Sequence, residues 1–168
     1  MEQPDVELIV RVTARISAAL FAAALISFAA AARRHQGRGP RIRLFIAFLL
    51  AHSIHFGAVM WLAALTAGEN IRARGGWILV LTVAALFYLA AFSILRAWSR
   101  PAAGRAPSRV ERLSAHAGVA FVALIFLNSY AARAGRMPVY WVPTILLLAV
   151  VVAYFSLVRQ PSLRLRGR

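Results

Sequence analysis

One stretch constrains the chain more than any other: RIRLFIAFLLAHSIHFGAVMWLAAL, running from Arg41 to Leu65. After Arg43 it is predominantly apolar for about 22 residues, enough for a helix to cross a bilayer. Two histidines, His52 and His55, lie three residues apart within it and so share a helical face. An ionisable group at membrane depth is costly and points into a bundle or at a ligand rather than into lipid.

The same pattern recurs along the chain. Apolar runs predict helices over 8–32, 42–65, 77–95, 109–132 and 139–158, separated by loops rich in Gly, Pro and Arg. With 61% hydrophobic residues gathered in such runs, the 168 residues read as one all-α domain. The expected architecture is a polytopic integral membrane bundle of five helices. Cysteine is absent, which removes disulfides, thiolate metal sites, iron–sulfur clusters and cysteine nucleophiles. Ser108 and Glu111 form an S-x-x-E capping box that marks the start of the fourth helix. Glu7, Arg11 and Arg15 repeat every four residues and so form a stripe able to pair. A cleaved signal peptide is the rival reading of the first run, but the acidic start MEQPDVEL argues for a retained helix.

The net charge is +15, and all 20 basic residues are Arg. They cluster at the ends of apolar runs, so topology explains them and a nucleic-acid partner is not expected. Five crossings would place Arg33, Arg34, Arg38, Arg41 and Arg43 on one side, with Arg96, Arg100, Arg105, Arg109 and Arg112. The tail arginines Arg159, Arg164, Arg166 and Arg168 join them, making 14, against six on the other side. The positive-inside rule then predicts an outer N-terminus and a cytoplasmic C-terminus in a bacterial inner membrane. Trp61, Trp77 and Trp141 would line the outer interface and Trp98 the inner one.

Shifting the second half by 64 residues lays Leu113-x-Ala115-His116 on Leu49-x-Ala51-His52, and Trp141 on Trp77. This suggests two repeated hairpins following an N-terminal helix, with His52 and His116 at similar depth across an axis. Two facing imidazoles in a bundle are the ligand set of a six-coordinate haem b. Gly57 and Gly118 would admit close backbone, and Phe45, Phe48, Phe56 and Phe121 would wall the slot. Arg43 and Arg112, with Arg41 and Arg109, would pair with the propionates. Ser53 and Ser114 are candidate hydrogen-bond supports. His55 is an alternative ligand, a proton carrier to a quinone, or a packing residue. His35, in the basic loop, is expected to be solvated.

The segment Glu111-Arg112-Leu113-Ser114-Ala115-His116 resembles the R-L-H signature that opens a helix in ferric-reductase-like transmembrane domains. That resemblance implies haem-b electron transfer, with an earlier helix supplying further histidines, as His52 and His55 would. Ser129 and Tyr130 stand where a second histidine of the fourth helix would be, so one haem is the most it implies. The electrons would come from a redox partner protein or a quinone.

Other chemistry is poorly supplied. No carboxylate lies mid-membrane, so an acid-based proton relay or hard-cation site is not expected. No nucleophile-elbow or nucleotide-binding glycine pattern occurs. A zinc or copper site from His52, His55 and His116 is allowed by ligand type. Transport lacks a charged midplane site, and Pro143 offers the one expected kink. The alternative to haem is a non-catalytic accessory or structural subunit, with the histidines as interhelical hydrogen-bond groups.

Overall fold

A computed structural model of the chain describes residues 3–34, 39–66, 76–99 and 106–158. These residues form α1 (Gln3–Arg34), α2 (Gly39–Leu65), α3 (Gly76–Ser99), α4 (Arg109–Ala134) and α5 (Trp141–Val158). A short 3-10 turn, Pro138–Tyr140, leads into α5. The five expected helices are present, and each is long and apolar enough to span a bilayer.

The boundaries follow local chemistry. The acidic start is helical because Asp5 sits in the first turn, where it complements the helix dipole. Glu7 then pairs with Arg11 one turn on, at 3.1 Å. Arg15 leaves that stripe and donates to the Tyr140 hydroxyl instead, at 3.3 Å. Gly76 takes φ +83°, a left-handed conformation open to glycine, as the chain turns into α3. The capping box on α4 forms as expected: Glu111 N–H donates to Ser108 Oγ at 3.1 Å, and Ser108 N–H donates to Glu111 Oε2 at 2.9 Å. Pro143 falls in the first turn of α5, where its missing N–H removes no helical bond, and α5 continues unbroken to Val158.

The helices pack unequally. The antiparallel pairs α1–α2 and α3–α4 run closely together, α5 docks on α1 and α4, and α2 and α3 scarcely touch. The 64-residue shift would make α2–α3 and α4–α5 the packing units. The close units are instead α1–α2 and α3–α4. The matched positions also differ in surroundings, since buried Gly118 corresponds to outward-facing Ile54.

Much of the exterior is apolar. Ile78, Leu81, Leu89 and Phe92 of α3 all face outward, and only 17% of its driest window is buried. A surface of this kind is matched by lipid and not by water. The chain is an integral membrane protein of five candidate spans. Burial against its own helices therefore gains no hydrophobic free energy over burial in acyl chains. Helix association must rest on packing and on hydrogen bonds.

The interior is a column of rings in two storeys. One storey gathers Phe21, Phe48, Phe87 and Phe126, with Phe48 5.1 Å from Phe21 and 6.2 Å from Phe126 by ring centroids. The other gathers Phe28, Phe45, Trp98 and Tyr154, with Trp98 stacked on Phe28 at 3.9 Å. Trp98, in the last turn of α3, is thus a core residue, with its ring 6.4 Å from that of Tyr154. Trp61 and Trp141 are half-exposed, as belt residues are.

Candidate functional site: the membrane histidines

His52 belongs to the first storey. Its ring stacks on Phe87 of α3, with centroids 4.0 Å apart and planes at 23°, and lies 5.8 Å from Phe126 of α4. His52 Nδ1 is buried without a hydrogen-bond partner among the described residues. The ring borders a cleft of about 260 Å³ between the C-terminal half of α2 and the N-terminal half of α3, walled by Phe56, Val80, Ala84 and Phe87. Beside it, Ser53 donates to the Leu49 carbonyl at 2.9 Å and shares a 2.9 Å hydrogen bond with the Tyr88 hydroxyl of α3. Rings and hydroxyls therefore bridge the seam that backbone contact does not close.

His55 faces the other way. Its Nδ1 lies 3.1 Å from Thr13 Oγ1 on α1. The Thr13 hydroxyl is already committed to the Ile9 carbonyl at 2.7 Å, so the imidazole N–H is the donor. His55 is thereby fixed to α1, and the i, i+3 spacing leaves its ring centroid 5.6 Å from that of His52.

His116 belongs to the second storey. Its ring packs against Tyr154 and Phe155 of α5, with centroids 6.1 and 5.9 Å away. The ring of α4 that meets His52 is Phe126, ten residues beyond His116. At about 1.5 Å per residue this puts roughly 15 Å of helix between the level of His52 and that of His116. The expected pair of facing imidazoles is therefore not formed. A bis-histidine haem needs both nitrogens about 2 Å from one iron, as for imidazole on zinc, and these two rings are a storey apart.

The slot expected between them is absent for a second reason. A Cβ added to Gly118 would stand 2.8 Å from the Ala90 carbonyl oxygen and 3.1 Å from Ile94 Cγ1. The room that Gly118 provides is filled by the backbone of α3, leaving none for a macrocycle. Gly57 has nothing within 4 Å of such a Cβ and packs against no neighbour. Phe45 and Phe48 are buried ring to ring in the column, while Phe56 and Phe121 are partly buried at its edges.

The arginines do not converge either. Arg112 donates to the Pro107 carbonyl at 2.7 Å, and Arg41 is buried with its guanidinium 5.2 Å above the Phe28 ring. Arg43 and Arg109 are exposed, as is Ser114. Among the described residues no three His, Asp or Glu side chains gather as a metal site. His35 and the C-terminal tail lie outside the described residues.

What sequence reasoning missed are the partners: Thr13, Phe87 and Tyr140. Thr13 carried a legible signal, being a hydroxyl one turn above the dry part of α1 and off the Glu7–Arg11–Arg15 stripe. Phe87 carried none, because a phenylalanine in an apolar helix is indistinguishable from its neighbours. Comparison with family models, with curated proteins and with solved structures found no match to this chain.

Proposed function

We propose that the chain is a non-catalytic accessory or structural subunit of a bacterial inner membrane, with its N-terminus outside and its C-terminus in the cytoplasm. One observation carries this reading. The three membrane histidines are distributed over three different helix seams, each against a neighbour of its own. His55 joins α2 to α1 through Thr13, His52 joins α2 to α3 through Phe87, and His116 lies between α4 and α5. Side chains so placed hold helices together and set their rotation. The orientation follows from the 14-to-6 arginine asymmetry.

The test uses the full chain expressed with ample haem and purified in mild detergent. The expected preparation has no Soret band, and a cross-linked partner protein is recovered equally with wild type and His52→Ala. A Soret band lost in both His52→Ala and His116→Ala would overturn the reading in favour of a shared haem. Because the chain has no cysteine, single-cysteine variants report topology cleanly. Ala106→Cys should label from the cytoplasm and Gly135→Cys from outside. The reverse pattern would invert the orientation.

A further inference from the structure

A second and larger groove runs between α1 and α5, with a volume of about 750 Å³. Its α1 wall is Arg15, Ala18, Ala19, Ala22 and Ile26, the spacing of one helical stripe. Its α5 wall, Pro143, Leu146, Leu147 and Val150, has the same spacing. Alanines on one wall and bulky aliphatics on the other leave a channel along the helices. The two ends differ. At one end Arg15 donates to the Tyr140 hydroxyl, and Tyr140 stacks on Tyr130 with centroids 6.3 Å apart. The guanidiniums of Arg11 and Arg133 also lie near enough to act electrostatically on that hydroxyl. At the other end the lining stops at Ile26 and Val150, short of the Phe28–Tyr154 ring contact.

We propose that this groove binds one anionic phospholipid, with the phosphate on Arg15 and Tyr140 and one acyl chain along the alanine stripe. Length selects this occupant. From Arg15 to Ile26 is eleven residues, or about 16 Å of helix. That is roughly half the 30 Å hydrocarbon thickness, the depth of one leaflet. A helix from a second copy would need a groove running the full span, and the lining of this one stops at Ile26 and Val150. Charge selects the headgroup. A fixed guanidinium attracts a head with net negative charge, and its geometry matches phosphate. The partner of Arg15 in the structure is a neutral phenol, which leaves its charge available to a phosphate.

The full chain, purified in mild detergent and stripped of lipid, is titrated with phosphatidylglycerol or phosphatidylcholine of identical acyl chains. Retained lipid is read by native mass spectrometry. The expected result is one phosphatidylglycerol per chain, held in clear preference to phosphatidylcholine. Arg15→Gln should weaken its retention about fivefold, and Arg15→Lys should restore part of it. Ala22→Phe, or Val150→Phe should the first fold poorly, should expel both lipids by filling the channel. Inorganic phosphate alone should neither bind nor compete. Equal retention of the two lipids, no effect of Arg15→Gln, or competition by free phosphate would each overturn the proposal. So would a dimer broken by Ala22→Phe with no lipid retained, which would assign the groove to a second copy. None of these outcomes depends on whether a haem is found.

Discussion

The seam between α3 and α4 and the seam between α2 and α3 lie side by side and are built in opposite ways. In the first, Gly118 and Ala115 of α4 let the backbones close until the Ala90 carbonyl fills the space a Cβ would need. In the second, the helices stand apart and are joined by the His52–Phe87 stack and the Ser53–Tyr88 hydrogen bond across a cleft. Both seams are flanked by equally apolar residues, so hydrophobicity does not separate them. In lipid, apolar burial earns nothing extra, and small residues decide where helices approach. The contrast teaches that His52 bridges a seam whose backbones stand apart, whereas the glycine seam needs no such bridge.

This contrast can be broken most sharply at Gly118. Gly118→Leu places a side chain into the Ala90 backbone and should cost about 3 kcal/mol, read as a large drop in the melting temperature in mild detergent. Gly57→Leu, with open space around it, should stay within about 0.5 kcal/mol. Similar losses at the two glycines would mean that backbone approach is not what holds α3 to α4.

The next effect concerns the two histidines of α2. His55→Leu loses the hydrogen bond to Thr13 and should cost about 0.6 to 1.7 kcal/mol, the range for such bonds in membrane bundles. His52→Leu removes a buried nitrogen that has no partner and should lie within about 0.5 kcal/mol of wild type, on either side. A larger loss at position 52 than at position 55 would show that His52 is engaged by something beyond the Phe87 stack.

Tyr88→Phe should cost about 0.6 kcal/mol through the lost bond to Ser53, and Ser53→Ala in the same background should add nothing more. Separate, additive losses would mean the two hydroxyls do not act as one bridge. The smallest effect is expected at the end of the tight seam, where Arg96 Nε donates to Glu111 Oε1 at 3.3 Å. Arg96→Gln should cost no more than about 0.5 kcal/mol and less at high salt, because the pair is partly exposed.

The helices themselves were legible because a bilayer admits few alternatives. Runs of about twenty apolar residues, Gly and Pro breaks and the Ser108–Glu111 cap place all five to within a few residues. Helix 3 reaches Ser99 and not residue 95, because Trp98 packs into the column and holds the last turn in place. The histidines are half-buried, each against a neighbouring helix, and their mutual placement was not legible. Matching Leu-x-Ala-His motifs report local sequence likeness, whereas depth depends on how far α4 slides along α2. That slide is set by contacts such as Phe48–Phe126 and Gly118–Ala90, between residues far apart in the chain.

By itself the sequence determined the class of molecule: five apolar helices with arginine at their ends, whose backbone groups must be satisfied within each segment for want of water. Only the tertiary structure decided which histidine meets which helix, that the space beside Gly118 is filled by backbone, and that Arg15 meets Tyr140 at one end of a groove between α1 and α5. The physical reason is that the bilayer selects for length and hydropathy, which one dimension can display. Rotation and slide of each helix are instead fixed by the shapes of side chains that the sequence sets far apart and the fold brings together.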